Sequence, residues 1–96
     1  MKTDDQRLFL VTVRVNLATM AAFAQKLQRG ELDRSAIRAT YCLADDPAVG
    51  LGIWEVASEE ELRIRLAPWR PYYESVETRE LITPSQAFVL LSQRAE

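Results

Sequence analysis

The side chains in this chain that can take part in chemistry are carboxylates, arginines and tyrosines. The sequence has no histidine and one cysteine, Cys42. A thiol without a histidine partner is not activated as a nucleophile, and one cysteine cannot form a disulfide within the chain. A transition-metal site is not expected, because it usually needs histidine or cysteine ligands, and a carboxylate-only divalent site has no motif here. No nucleotide-binding loop is present. We therefore expect no cofactor.

The stretch from Leu51 to Leu62 places a carboxylate and a large aromatic side by side. Period-two apolar spacing predicts a strand up to Val56, in which Trp54 and Glu55 point to opposite faces. Ser58 and Glu61 then have the spacing of a capping box, which predicts the start of a helix. One sheet face should thus receive the indole and the other face the carboxylate.

Length, composition and charge limit the classes of protein to which the chain can belong. Ninety-six residues predict one domain spanning 1–96. A net charge of −2 and a pI near 5.2 argue against a nucleic-acid partner, because phosphate binding needs concentrated basic residues. No apolar run suits a membrane span or a secretory signal. These features predict a cytoplasmic protein without a membrane or nucleic-acid partner.

The clearest predicted element is a strand from Leu8 to Asn16. One face of it is wholly apolar and should meet helices; it carries Phe9, Val11, Val13 and Val15. The other face grades from apolar to polar and has the character of a cavity wall; it carries Leu8, Leu10, Thr12, Arg14 and Asn16.

A helix, two strands and a second helix follow. Apolar spacing predicts a helix over Leu17–Gln28, capped by Thr19 or Asn16 and closed by Gly30. A strand over Ser35–Leu43 should place Ile37, Ala39, Tyr41 and Leu43 on one face, and Asp45-Asp46-Pro47 should form a turn. In the strand Val49–Val56, Gly50 and Gly52 indicate either a bulge or a close approach to the backbone. The helix from Ser58 should end before Pro68.

The last third of the chain begins with a rigid aromatic loop, Ala67–Tyr73. A charged strand over Glu74–Ile82 should follow, at an edge of the sheet or lining a polar interior. Thr83, Pro84 and Gln86 favour a C-terminal helix, although Phe88–Leu91 would also suit a strand.

The order strand, helix, strand, strand, helix, strand predicts an α+β fold of the ferredoxin-like type, with a four-stranded antiparallel sheet and both helices on one face. The other face would be open, and the same face of a second copy could cover it. We therefore expect a homodimer whose two sheets enclose a barrel.

The chain resembles the dimeric α+β barrel superfamily, and within it the muconolactone isomerases and their small relatives. The resemblance rests on Val15-Asn16-Leu17, Leu27-Gln28-Arg29, Glu55-Val56-x-Ser58-x-Glu60-Glu61-Leu62, and Pro71-Tyr72 with Val76-Glu77. It implies a cofactor-free isomerase or cyclase that transfers a proton within a hydrophobic unsaturated lactone or carbonyl compound.

On this resemblance, Glu55 and Glu77 would be the bases, because an apolar barrel raises a carboxyl pKa toward neutrality. Arg14, and also Arg38 and Arg79, would hold a substrate carboxylate or an enolate. The substrate contacts would come from Asn16, Arg38, Tyr41, Trp54, Trp69, Tyr72 and Tyr73. Each residue also has a structural interpretation: the glutamates and Arg14 can form ion pairs, Asn16 can cap a helix, and Trp54 can belong to the core.

Two other functions fit the same residues. The resemblance to the superfamily also implies a second activity, that of cofactor-independent monooxygenases of aromatic polyketides. For that activity, Asn16, Trp54 and the tyrosines of this chain would matter more than the glutamates. A dimeric module that binds a small apolar ligand without catalysis is the third hypothesis.

Overall fold

A computed structural model of the chain describes residues 6–94. Within them, four strands and three helices alternate in the order strand, helix, strand, strand, helix, strand, helix. The strands are β1 (Arg7–Val15), β2 (Ile37–Leu43), β3 (Asp46–Val56) and β4 (Tyr73–Leu81), and the helices are α1 (Met20–Gln28), α2 (Glu59–Leu66) and α3 (Pro84–Arg94). Short 3₁₀ helices, Leu17–Thr19 and Arg70–Tyr72, precede α1 and β4.

The strands form one antiparallel sheet in the order β2-β3-β1-β4. β1 lies in the middle, with Phe9 opposite Trp54 of β3 and Glu80 of β4. β4 lies at one edge of the sheet, the first of the two positions predicted for it. The structure confirms the predicted α+β class and the four-stranded antiparallel sheet.

The alternation of β1 separates the two faces of the sheet. Phe9 and Val11 are buried in a core with Val56 of β3 and with Leu62 and Leu66 of α2. Phe23 and Leu27 of α1 pack against the same core. We call this side the helix face. The opposite side, the open face, is covered by no element of the described chain; it carries Leu8, Leu10, Thr12 and Arg14 with their cross-strand partners on β3 and β4.

Two predictions about β2 and the hairpin are wrong. The register shifts between Ile37, which pairs with Trp54, and Ala39, which pairs with Ile53. Ile37 therefore lies on the helix face and Ala39 on the open face, because an extra residue in a strand reverses the alternation that follows it. The turn is Ala44-Asp45, and Asp46-Pro47 already belongs to β3. Strand pairing tolerates Pro47 because it has no cross-strand partner and so no ladder bond is lost.

The predicted starts of α2 and α3 are found, with one difference in detail, whereas α1 begins at Met20 rather than at Leu17. Ser58 Oγ accepts from the Glu61 amide at 3.1 Å. The Glu61 carboxylate, however, accepts from the amide of Ala57 at 2.7 Å rather than from that of Ser58. The capping box of α3 has both of its hydrogen bonds. The Gln86 amide donates to Thr83 Oγ1 at 3.1 Å, and the Thr83 amide donates to Gln86 Oε1 at 2.9 Å.

The C-terminal segment is a helix rather than a strand, and it stands apart from the sheet. None of the residues of α3 is buried. Phe88, Val89, Leu90 and Leu91 are 71, 54, 52 and 61% exposed. Among the helices of residues 6–94, none combines the length and apolarity that a membrane crossing needs.

Candidate functional site

A mostly apolar pocket of about 300 Å³ lies on the helix face, between the sheet and α1. This volume is at the lower end of the range of small-molecule sites, about 300–1,000 Å³. The apolar part of the lining includes Val11, Val13, Phe23, Leu27, Ile37 and Leu66. Both tryptophans of the chain, Trp54 and Trp69, also line it, and we call it the indole pocket.

The two indoles meet edge to face at one side of the pocket. Their ring centroids are 5.8 Å apart and their planes are inclined by 80°, a favourable arrangement for aromatic pairs. Trp54 is 4% and Trp69 5% exposed. The indole Nε1 of Trp69 is buried and has no hydrogen-bond acceptor among residues 6–94. A buried donor without a partner destabilises a protein by about 1–3 kcal/mol.

Neighbouring side chains pack closely against the backbone of β3 because two of its residues are glycines. A Cβ on Gly52 would lie 3.0 Å from Nε1 of Trp54, and one on Gly50 would lie 3.3 Å from Cγ2 of Val13. The close approach, one of the two interpretations offered for these glycines, is found at both positions. The other interpretation is supported beside Gly50, where the pairing shifts from Cys42–Gly50 to Leu43–Asp46 and leaves residues 47–49 of β3 without a partner on β2.

An aromatic cluster around Phe23 of α1 covers the pocket. The Phe23 ring stacks on Tyr72 at 5.2 Å and meets Trp69 and Tyr73 edge-on at 6.0 and 5.7 Å. Burial raises the pKa of Tyr73 to about 12, so this phenol stays neutral at physiological pH. Phe23 and Leu27 are the only half-buried residues of α1; the others are exposed.

The polar part of the pocket lining comes from Arg34, Thr40, Tyr41 and Cys42. Among residues 6–94, Arg34 is the single charged residue of the lining. All four residues are exposed, and they therefore form the mouth of the pocket rather than its interior.

The predicted catalytic residues lie on the open face, away from the indole pocket. Glu55 forms an ion pair with Arg38, with 2.6 Å between Nε and Oε1. Arg14 donates to Asp46 at 2.8 Å, and this hydrogen bond raises its pKa. Glu77 lies opposite Thr12 on β4. The structural interpretations of Glu55 and Arg14 as ion-pair members are therefore realised in the monomer.

The structure divides the predicted site residues between two faces and one helix start. Trp54, Trp69, Tyr41 and Tyr73 line the indole pocket, and Tyr72 reaches it through Phe23. Asn16 instead accepts from the Ala18 amide at 3.0 Å and caps the 3₁₀ helix before α1.

Phe23, Arg34 and Thr40 are among the pocket residues that sequence reasoning did not name as functional candidates. Phe23 was visible only as one apolar residue of an amphipathic helix. Arg34 and Thr40 carry no sequence signal, because the bulge at the start of β2 decides which residues of this segment meet the pocket.

Comparisons of the chain with protein-family models, with curated proteins and with solved structures find no match. The resemblance to muconolactone isomerases therefore rests on the quoted motifs alone. Residues 6–94 also bring together no group of three or more histidine, cysteine, aspartate or glutamate side chains that could hold a metal ion.

Proposed function

We propose that this protein binds a small hydrophobic molecule with a carbonyl oxygen in the indole pocket. The observation that carries the proposal is the buried Nε1–H of Trp69, which has no acceptor among the described residues, in a residue that lines a mostly apolar pocket. An apolar ligand body would gain from burial at about 25 cal/mol per Å². A carbonyl oxygen would supply the missing acceptor, and hydrogen bonds of this kind add about 0.5–1.5 kcal/mol.

The fold that we propose around this pocket is ferredoxin-like, assembled as a homodimer through the open face. The strand order β2-β3-β1-β4, with α1 and α2 packed on one side, supports the first part. Apolar side chains on the uncovered side support the second part. Leu8 is 39% exposed, and its neighbours in register include Leu81, while Leu10 lies opposite Ile53.

The binding test compares two molecules of nearly the same shape, cyclohexanone and methylenecyclohexane, which differ in having C=O or C=CH₂. The two indole N–H signals of ¹⁵N-labelled protein are assigned with Trp54→Phe and Trp69→Phe. We expect both compounds to shift the two signals, because both indoles line the pocket. Only cyclohexanone should move the Trp69 signal downfield, as a new hydrogen bond does.

The matched variant Trp69→Phe keeps an aromatic ring and removes the donor. It should weaken cyclohexanone binding by about two- to tenfold, the worth of one hydrogen bond, and leave methylenecyclohexane binding unchanged. If saturating amounts of both compounds leave both indole signals in place, the pocket does not bind such ligands and the proposal is wrong.

A second candidate function, a proton-transfer isomerase or cyclase acting on an unsaturated lactone, is favoured by the charges of the open face. Glu77 has Arg79 two residues along β4, and Arg14 lies two residues along β1 from its partner Thr12, all on one face. A second copy covering this face would enclose a carboxylate base beside two guanidinium groups that can hold an anion.

This candidate is tested by incubating an unsaturated lactone with the protein in heavy water. Deuterium should enter the product, and Glu77→Gln or Glu55→Gln should slow turnover by about 10²–10⁴-fold if that residue is the general base. Glu74→Gln, another exposed carboxylate of β4, is the control. Unchanged turnover in both candidate variants would exclude the mechanism. Oxygen uptake with an electron-rich phenol would instead indicate the cofactor-independent monooxygenase.

A further inference from the structure

Helix α3 exposes an apolar surface that is too large for a free surface helix. Its residues Ala87–Leu91 are five consecutive apolar residues, and four of them are more than half exposed. At about 3.6 residues per turn, Phe88, Leu90 and Leu91 lie on the side opposite the polar Ser85, Gln86, Ser92 and Gln93. The only charged residue between Pro84 and Arg94 is Arg94 itself. The apolar face of a helix normally packs against another element, so α3 needs a partner.

The apolar surface of α3 continues an apolar corner of the open face. Leu8 at the start of β1 lies opposite Leu81, the last residue of β4. Ile82 follows, 47% exposed, and α3 begins two residues later. Apolar surface thus extends from the sheet along Ile82 onto the helix.

The chain exposes more surface than a compact monomer of its mass, and the excess has the size that a second copy would cover. A compact monomer of 11.0 kDa exposes about 5,600 Å², whereas this chain exposes 7007 Å². The excess of roughly 1,400 Å² falls within the area that each subunit of an obligate homodimer buries, about 1,000–2,500 Å². Charge depletion with an aromatic residue at the centre is also typical of interface cores.

We propose that α3 is an interaction arm that packs against a second copy of this chain, so that the open faces and the two α3 helices form one continuous interface. The inference rests on the homodimer proposed above. A lipid surface fits less well, because interfacial helices carry several lysines or arginines on their polar face, and α3 carries one arginine at its end.

The test measures solution mass against protein concentration by sedimentation for the intact protein and three variants. The unaltered chain should give a dimer of about 22 kDa, twice the 11.0 kDa of one chain. Phe88→Glu should raise the dimer dissociation constant at least tenfold, because a buried charge replaces a buried ring. Gln25→Glu, at an exposed position of α1 on the other side of the sheet, is the control and should leave the mass unchanged. Circular dichroism verifies that each variant is folded.

The variant Leu10→Glu distinguishes the contribution of the open face to dimerisation from that of α3. If Leu10→Glu dissociates the dimer and Phe88→Glu does not, the homodimer stands and the role of α3 is wrong. A monomer at all concentrations overturns both, while the indole pocket is judged separately by the cyclohexanone titration. Isotope-filtered NOEs between differently labelled copies should connect the Phe88 ring to the second copy. NOEs found only within one copy would refute the packing of α3 against a second copy.

Discussion

Replacing Gly52 by alanine tests the close packing of the indole pocket against β3. The added Cβ would lie 3.0 Å from Nε1 and 3.4 Å from Cδ1 of Trp54, whereas such atoms prefer about 3.5–4.0 Å. The indole has little room to retreat, because it is 4% exposed and meets Trp69 at 5.8 Å. The variant must therefore move the ring or the strand.

The expected loss of stability follows from two opposing terms. Overpacking of a core destabilises by about 1–3 kcal/mol, and replacing a strand glycine by alanine returns about 0.5–1 kcal/mol. At the middle of each range the net destabilisation is about 1 kcal/mol. For a chain of this size each kcal/mol lowers Tm by about 4–8 °C, so a decrease of about 4–8 °C is expected in thermal unfolding at fixed protein concentration.

Gly50→Ala is the matched control on the same strand. Its Cβ would meet Cγ2 of Val13 at 3.3 Å, a smaller overlap with a side chain that is only partly buried. Its stability should stay within about 0.5 kcal/mol of the unaltered chain, as for substitutions without a specific clash. Gly52→Ala should destabilise a Trp54→Phe protein less than it destabilises the unaltered chain, because the smaller ring leaves room for the added Cβ. If Gly52→Ala unfolds at the same temperature as the unaltered chain, the indole does not lie against this glycine.

Three further outcomes are expected. Ser58→Ala should destabilise the protein by about 1 kcal/mol, measured by urea unfolding, because it removes the side-chain cap of α2; an unchanged midpoint would contradict this. The hydrogen bonds from Arg7 hold the pKa of Glu80 below its ordinary value of 4.5. Their stabilisation should be present above pH 4.5 and lost as the pH falls through the depressed pKa, and Glu80→Gln should reduce this acid dependence. In an ultraviolet titration, Tyr73 should ionise only near pH 12, and Tyr73→Phe should remove that last step.

The elements could be predicted from the sequence wherever a local rule determines them. β1 follows from its alternation, and the starts of α2 and α3 follow from Ser58 and Thr83. The bulge near Ile37 could not be predicted, because it depends on how β2 registers against Trp54 of β3. A one-residue shift reverses the faces of a strand and leaves no mark in the composition.

The candidate site was predicted only in part, for a related reason. The sequence placed Trp54 and Glu55 on opposite faces, and the structure agrees, since Trp54 is buried on the helix face and Glu55 pairs with Arg38 on the other side. The set of candidate residues nevertheless combined both faces. The pocket depends on the meeting of Phe23 with Trp69, two residues far apart in the chain whose contact only the tertiary structure creates.

The weak attachment of α1 has a consequence for how the pocket exchanges its contents. Because only Phe23 and Leu27 of this helix are half-buried, lifting it exposes little apolar surface, and such elements open locally at a small fraction of the global unfolding free energy. The amide protons of α1 should therefore exchange with solvent faster than those of β1. A bound molecule that holds Phe23 in place should slow this exchange, and the opening of α1 gives such a molecule a second route besides the mouth at Arg34, Thr40, Tyr41 and Cys42.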